Sequence, residues 1–239
     1  MKTLIDIIDE AVRQSKVIVE DNTKYVVKHY SVEPGIVKWF IIKSLSLPLQ
    51  IYPYVTSPRE RMAREISFFN KRPGGVYTPR VIDIDWNNHV IKREYIEGEI
   101  FDPKMKRVRY VELANTLSRI HRGGYALGDS KYTNFIFTGD GRVYVVDAEQ
   151  ATETSNSIHY SWDIIIFTVT TLYSYGLLRD IETIYNKLRI FYSSYTDYYG
   201  VDPIANIVEK VRLRTLFSIL IPLPHNIQLL NIIKSIVSK

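Results

Sequence analysis

A seven-residue stretch, GDSKYTN at 128–134, carries side chains that could bind a metal ion and a phosphate group. Asp129 and Asn134 are five residues apart, a spacing suited to a turn that points both at one spot, and Asp147 follows thirteen residues later in VVDAEQ. Phosphoryl transfer needs a carboxylate beside the acceptor hydroxyl, oxygen ligands for Mg²⁺ and a lysine for phosphate charge. The stretch and Asp147 together predict such a site, although each residue taken singly is more typical of a turn or a cap.

The chain ahead of this stretch has the pattern of a small β-sheet. KVIVEDNTKYVVKHY, at 16–30, predicts a hairpin with Lys28 in its second strand, because two β-rich runs flank an Asp-Asn turn. TPRVIDIDWNNHVIKREYIEG, at 78–98, predicts two more strands around its Trp-Asn-Asn turn. Four strands are therefore expected in the first hundred residues.

One helix is predicted between these strand pairs. Ser57 is a suitable N-cap, Pro58 suits the first helical position, and Glu60 completes a capping box. Glu65 then falls in the third turn of the helix. Residues 34–56, ahead of the cap, are apolar and aromatic without a clean period, and we interpret them as a helical insertion.

After residue 101 the pattern becomes mainly helical, interrupted by a short hairpin in which FIF and RVYVV flank TGDG. The predicted helices cover 102–122, 161–175, 180–198 and 203–218. The sequence thus predicts an α+β fold in two lobes, with a β-rich lobe at 1–97 and a helical lobe at 98–239. A cleft between two lobes is the natural place for a ligand.

The motif order resembles the protein-kinase superfamily. GDSKYTN followed by VVD is similar to its catalytic loop and metal-binding segment, in the form Asp-x-Lys-x-x-Asn and then Asp. GYALGDSKYTN, from Gly124, is similar to the GxxHGDLxxxN of small atypical branches: the RIO kinases, the kinase of the KEOPS tRNA-modification complex and lipopolysaccharide-type sugar kinases. The resemblance covers most of residues 20–175 and implies a two-lobed kinase-like fold.

The resemblance implies a role for each polar residue of the helical part. Asp129 would be the catalytic aspartate and Lys131 would contact the γ-phosphate of ATP. Asn134 and Asp147 would hold Mg²⁺, or Mn²⁺ in its place. Asp163, in SWDIII, would be the buried helix aspartate that braces the catalytic loop.

In the β-rich part the resemblance implies the remaining contacts to ATP. Lys28 would bind the α- and β-phosphates with Glu65 as its ion-pair partner. Lys43 would have a more usual separation from Glu65, but it lies in a run without the period of a strand. EYIEG resembles the hinge, so that the backbone of Glu94 and Ile96 would meet the adenine.

Four departures from the family pattern accompany these matches. Leu127 stands where the family usually has a loop-bracing His, and Ala148 and Glu149 replace Phe-Gly, which places a second carboxylate near the metal. No glycine lies between residue 16 and Lys28, so phosphate cradling by free backbone N–H groups is not expected. Arg93 precedes the hinge where an apolar residue is usual and could restrict the adenine pocket.

The implied activity is transfer of the γ-phosphoryl group of Mg-ATP to a hydroxyl. A lysine two residues after Asp129 resembles protein kinases most, so we expect a protein Ser or Thr as acceptor. The apolar insertion and C-terminus leave open a sugar or lipid kinase of the same fold. The absent glycine loop and Glu149 leave open an ATPase or pseudokinase module that switches a partner complex, such as a tRNA-associated one.

Composition narrows the class of protein further. With 46% hydrophobic and 24% charged residues among 239, the chain is typical of a folded globular protein. The absence of cysteine excludes disulfide partners, thiolate metal sites and cysteine nucleophiles. The N-terminus is not a secretory signal, so we expect a cytoplasmic protein.

The surface features that could attract a partner are few. A net charge of +5 and a pI near 9.1 permit anionic partners such as nucleotides, RNA or acidic lipid. The five histidines are scattered without metal-ligand spacing and are interpreted as structural or surface residues. The apolar end, FSILIPLPHNIQLLNIIKSIVSK, is expected to dock on the helical lobe, with peripheral attachment to a membrane surface as the alternative.

Overall fold

The computed structural model describes residues 15–31, 51–176 and 180–238. The spacing of the apolar residues Leu4, Ile7, Ile8 and Val12 predicts an opening helix, which lies outside the described residues. Lys43 and all of the 34–56 insertion except its last six residues lie outside them too. The description below refers to the described ranges.

The first part of the chain forms a four-stranded antiparallel sheet in the order β1-β2-β4-β3. Its strands are β1 Ser15–Glu20, β2 Thr23–His29, β3 Val81–Asp85 and β4 Val90–Glu94. Asp21 and Asn22 have φ values of 47° and 61° in the β1–β2 turn, the left-handed conformation that a two-residue hairpin turn of this twist requires. Both predicted strand pairs are confirmed.

Helix α1, Pro58–Lys71, packs against this sheet. The Ser57 side chain accepts a hydrogen bond from the backbone N–H of Glu60, as the capping box predicts. Tyr30, Met62 and Ile91 are fully buried in a small cluster between helix and sheet. The helix is thereby held against the strand that carries Lys28.

Five short strands follow and frame the polar loop at 128–134. They are β5 Glu99–Ile100, β6 Tyr125–Ala126, β7 Phe135–Phe137, β8 Val143–Val145 and β9 Thr152–Glu153. They form a three-stranded sheet, β5-β7-β8, and a two-stranded one, β6-β9. The predicted hairpin around TGDG is β7–β8, and it carries the chain from Asn134 towards Asp147.

Six helices make up most of the second part. They are α2 Arg107–Arg122, α3 Ser157–Tyr175, α4 Ile181–Tyr199, α5 Asp202–Glu209, α6 Val211–Leu220 and α7 His225–Val237. Their apolar faces share one large core that also holds Tyr192 and Tyr195, each fully buried. The C-terminal segment docks on this core through Leu229 and Ile233, as predicted. Within the described ranges, no helix combines the length and the apolar character that crossing a bilayer requires.

Three predicted helix limits are wrong. α2 begins at Arg107, because Asp102 instead accepts a hydrogen bond from the Lys104 backbone in a turn. α3 begins four residues before Ser161, capped by Asn156. The predicted helix at 203–218 is two helices, separated where Lys210 adopts an extended backbone conformation. The α+β fold class is confirmed, whereas the lobe boundary after residue 97 stays a prediction.

Candidate functional site

Lys28 lies at the centre of a buried cluster of charges. Its ammonium donates to Glu65 Oε2 at 2.7 Å and to Asp147 Oδ1 at 2.9 Å. Glu149 Oε2 is 3.6 Å away, and the Lys28 side chain is only 2% exposed. The structure thus brings β2, α1 and the segment after β8 together around one cation.

The carboxylates keep Lys28 charged in spite of its burial. Burial by itself lowers the pKa of an ammonium, but Asp147, Glu149 and Glu65 outweigh it and hold the pKa of Lys28 above its ordinary value. Burial raises the pKa of Glu65, and the neighbouring ammonium opposes that rise. The cluster is therefore an ammonium surrounded by an excess of acid, the kind of lysine that can exchange a carboxylate for a phosphate.

Glu65 also positions the backbone beside Asp147. Its Oε2 accepts a hydrogen bond from the Ala148 N–H at 3.2 Å. One side chain of α1 therefore contacts both Lys28 and the residue that follows Asp147, so a shift of α1 would move both groups.

Glu149 lies in a buried ion pair that the sequence analysis did not identify. Arg61, fully buried on α1, donates to Glu149 Oε2 at 3.1 Å and also to the Tyr30 carbonyl. A buried carboxylate beside two cations is stabilised where a lone one would not be. Arg61 precedes Glu65 by four residues and so lies on the same helix face, a spacing that could have identified it.

The residues of the predicted catalytic loop lie close to this cluster. The Lys131 ammonium is 3.1 Å from Asp129 Oδ2 and 3.7 Å from Asp147 Oδ2. Burial lowers the pKa of Lys131, but Asp129 and Asp147 outweigh it and raise that pKa overall. Asn134 donates through Nδ2 to the Asp129 carbonyl at 2.7 Å, which leaves its Oδ1 as the acceptor of the amide.

Asp163 holds the start of the loop through its backbone. The carboxylate accepts hydrogen bonds from the N–H groups of Leu127 and Gly128, both at 2.7 Å. Ser130 Oγ donates to the Asp163 carbonyl at 2.6 Å. Asp163 is fully buried in the second turn of α3, so its function is packing and hydrogen bonding rather than the capping of a helix start.

His121 is a further partner of Asp163. Its Nε2 lies 3.1 Å from Asp163 Oδ2, and its Nδ1 lies 2.6 Å from the Tyr195 hydroxyl. A carboxylate only accepts, so Nε2 carries the proton and Nδ1 accepts from Tyr195. Burial lowers the pKa of His121 in spite of Asp163, which keeps the imidazole neutral. The structural interpretation of this histidine is correct, but its contact with Asp163 was not predicted.

Two tyrosines from residues 51–56 contact the backbone at the start of the same loop. Tyr54 donates from its hydroxyl to the Gly128 carbonyl at 2.8 Å, and the Tyr52 hydroxyl contacts the Ala126 carbonyl at 3.0 Å. The Trp162 Nε1–H donates to the Tyr54 hydroxyl at 2.6 Å. We call Tyr52 and Tyr54 the tyrosine bracket.

Gly128 is needed where the tyrosine bracket meets the loop. Its φ of +73° is in the left-handed region, and a Cβ there would lie 2.3 Å from the Tyr52 ring. The glycine before Asp129 therefore permits both the turn and the contact. Sequence patterns at 51–56 gave no signal for this packing.

The predicted hinge residues continue from β4. The Glu94 N–H donates to the Arg80 carbonyl at 2.9 Å. The backbone group of Glu94 that could contact adenine is therefore its carbonyl. Ile96 is buried, two residues further on. Arg93 is buried with its guanidinium 5.9 Å from the centre of the Phe69 ring. The contacts of Glu94 and Ile96 with adenine stay a proposal.

The oxygen donors suit a magnesium ion that arrives with a nucleotide. In the part of the chain that the structure describes, no three His, Asp or Glu side chains are arranged to hold a metal ion. Asp147 and the Asn134 Oδ1 supply one carboxylate and one amide oxygen. Mg²⁺ is commonly held by one or two carboxylates together with substrate phosphates and water, so this small donor set fits it.

Comparison with known proteins supports a kinase-like assignment. The KEOPS complex subunit Bud32 of Pyrococcus abyssi is 31% identical over 97 residues, which cover 37% of this chain and 44% of the relative. The chain thus matches less than half of the relative's length. This match confirms the predicted resemblance to the atypical part of the protein-kinase-like superfamily. No protein-family model matches the chain.

Two kinases are found among the similar chains of known structure. Choline kinase LicA from Streptococcus pneumoniae is 12% identical with a TM-score of 0.48, covering 95% of this chain and 90% of its own. The bifunctional kinase-methyltransferase WbdD is 13% identical with a TM-score of 0.46, covering 94% of this chain and 43% of its own.

Proposed function

We propose that the chain transfers the γ-phosphoryl group of Mg-ATP to a hydroxyl. The observation that carries this proposal is the position of Lys131, 3.1 Å from Asp129 and 3.7 Å from Asp147. A base for the acceptor, a carboxylate for the metal and a cation for the transferred phosphate then lie within a few ångströms of one another, as in-line phosphoryl transfer requires.

Each side chain has a distinct task in this proposal. Asp129 accepts the proton of the attacking hydroxyl. Lys28 contacts the α- and β-phosphates, and Lys131 offsets the charge that builds on the transferred group. Asn134 and Asp147 would hold Mg²⁺, which would neutralise phosphate charge when bound. Glu65 and Asp163 position Lys28 and the catalytic loop.

A protein serine or threonine is our first choice of acceptor. The argument is the lysine two residues after Asp129, the feature of the loop that resembles protein kinases most. The side chain of Lys131 is 30% exposed, so it can meet a phosphate that enters from solvent.

A sugar or lipid hydroxyl is the second candidate, favoured by the tyrosine bracket. The bracket comes from the apolar insertion and lies directly on the backbone of Gly128, beside Asp129. The insertion therefore reaches the loop that carries Asp129, next to the place where the acceptor hydroxyl would bind. An ATPase module within a partner complex is the third candidate, since the sequence relative is a subunit of a complex.

One assay separates the three candidates. The full chain is incubated with γ-labelled ATP and Mg²⁺ in three reactions, with a general protein acceptor, with a cell lipid and sugar extract, and without acceptor. Label in protein supports the first candidate and label in the extract supports the second. Release of phosphate without an acceptor supports the ATPase.

Variants tie the turnover to the site. Asp129→Asn should lower the rate by roughly 100-fold or more while Mg-ATP still binds, because the base alone is lost. Asp147→Asn should weaken Mg-ATP binding as well. Asp140→Asn, in the exposed turn of the β7–β8 hairpin, is the matched control and should retain full activity. Unchanged binding and turnover in Asp147→Asn would refute the site assignment.

A further inference from the structure

The charge of the chain is concentrated at its C-terminal end. None of the 26 Asp and Glu residues lies after Glu209, whereas five of the 31 Lys and Arg residues do. Residues 1–209 are therefore formally neutral, and residues 210–239 carry the whole net charge of +5. A segment with five cations and no acid favours an anionic partner.

Helix α6 exposes apolar residues between two arginines. Val211 is 65% exposed and Ile219 is 71% exposed, and their spacing of eight residues puts them on one face of the helix. Arg212 and Arg214 are also exposed and flank this line on either side. The opposite face of α6 is buried in the helical core, so the solvent face is not needed for packing.

Two more exposed apolar residues follow in the next turn and helix. Leu223 is 69% exposed in the turn after α6, and Ile227 is 52% exposed in the first turn of α7. Tyr173, on α3, is 51% exposed and donates from its hydroxyl to the Leu220 carbonyl at 3.2 Å. An amphipathic aromatic ring thus borders the aliphatic residues. We call these seven residues the basic apolar face: Tyr173, Val211, Arg212, Arg214, Ile219, Leu223 and Ile227.

We propose that the basic apolar face binds the surface of a bilayer that contains anionic phospholipid. Aliphatic side chains enter the interface between headgroups and acyl chains, while arginines beside them meet the lipid phosphates. Tyrosine is favoured at the same depth, because its ring is apolar and its hydroxyl is polar.

The composition of the face favours lipid over nucleic acid. A nucleic-acid surface needs cations for phosphates and aromatic planes for bases, and the four exposed aliphatic side chains would contribute nothing to it. A bilayer surface binds both the arginines and the aliphatic side chains. The proposal concerns a surface apart from the Lys28 cluster, so it stands or falls independently of the proposed phosphotransferase activity.

Vesicle co-sedimentation of the full chain tests the proposal. Wild type should bind vesicles of phosphatidylcholine and phosphatidylserine at low salt, bind phosphatidylcholine alone far less, and be released by added salt. Arg212→Ser with Arg214→Ser should lower partitioning about 30-fold, at about fivefold for each cation near an anionic surface. Ile219→Ser with Leu223→Ser should lower it by about tenfold or more.

Matched controls distinguish this face from exposed residues in general. Val17→Ser with Val19→Ser removes apolar residues that are 56% and 64% exposed on β1, and Lys16→Ser with Arg122→Ser removes two exposed cations. Both controls should bind as wild type does. Absence of binding to anionic vesicles would overturn the proposal, as would equal losses in the controls. Concentration-dependent dimers or RNA binding abolished by Ile219→Ser, without vesicle binding, would assign the face to a different partner.

Discussion

Glu65 and Asp163 are both fully buried acids beside the candidate site, but their partners differ in kind. Glu65 faces the ammonium of Lys28, which also contacts Asp147 and Glu149. Asp163 faces two backbone N–H groups and a neutral imidazole. The first acid belongs to a group of charges that compete for one cation, whereas the second is held by donors in fixed positions.

This difference shows how one site can combine a stable loop conformation with an ammonium that exchanges its partners. Backbone donors cannot move without unfolding the loop, so a carboxylate bound to them fixes the local structure. An ammonium among several carboxylates loses little when one of them is replaced by a phosphate oxygen. The contacts of Asp163 are thus suited to fixing the conformation of the loop. The contacts of Glu65 are suited to binding a ligand.

Asp163→Asn should have the largest effect on stability. The amide retains one acceptor oxygen and turns an NH₂ group towards a buried donor, so the free energy of unfolding should fall by about 3 kcal/mol or more. Urea unfolding measures the change. Asp197→Asn, on the exposed side of α4, should stay within about 0.5 kcal/mol of wild type. Equal stabilities of wild type and Asp163→Asn would refute the bracing role.

Glu65→Gln should have a much smaller effect on stability and a clear one on ligand binding. Burial raises the pKa of this acid, so a neutral isostere avoids a desolvation cost, and Lys28 keeps Asp147 and Glu149. The free energy of unfolding should change by about 1 kcal/mol or less, while Mg-ATP binds about tenfold more weakly because Lys28 is less well fixed.

Calorimetric titration with Mg-ATP and urea unfolding measure the two quantities for Glu65→Gln. Glu60→Gln, exposed in the first turn of the same helix, is the control and should leave binding unchanged. A loss of stability as large as that of Asp163→Asn would remove the distinction between the two acids.

His121→Gln should have the smallest effect, visible in the pH dependence of stability. The folded-state pKa of His121 is below its ordinary value of 6.5, so below that pH the unfolded chain takes up a proton that the folded chain does not. This group therefore makes wild type lose stability as the pH falls.

Replacing the imidazole by a side chain that does not titrate should remove that loss. Between about pH 6.5 and pH 5.5, the decrease in unfolding free energy should be smaller in His121→Gln than in wild type, by at most about 1 kcal/mol. Urea unfolding at both pH values provides the comparison. An unchanged slope in His121→Gln would show that this imidazole does not titrate in this way.

Much of this site was predictable from local pattern. The β1–β2 turn, the capped helix and the β7–β8 hairpin follow from residue types whose backbone preferences are strong. The resemblance supplied the order of the motifs, and the structure brings Lys28, Glu65 and Asp147 into contact.

The remainder depends on contacts between distant parts of the chain, which local pattern does not reveal. His121 on α2 meets Asp163 on α3 across 42 residues, and Arg61 meets Glu149 across 88 residues. The break at Lys210 has no Gly or Pro to mark it. The sequence around such side chains gives no sign of a partner, because the partner is brought to them only by tertiary packing.

The tyrosine bracket has a consequence for the order of folding. Its hydrogen bonds to the catalytic loop join residues 74 positions apart, and Trp162 contacts Tyr54 across 108 positions. Contacts of such separation form slowly, because a long loop must close before they stabilise anything. During synthesis, the loop beside Asp129 can reach its final form only after α3 has left the ribosome, so a chain truncated before α3 would carry every predicted ATP contact and lack a fixed catalytic loop.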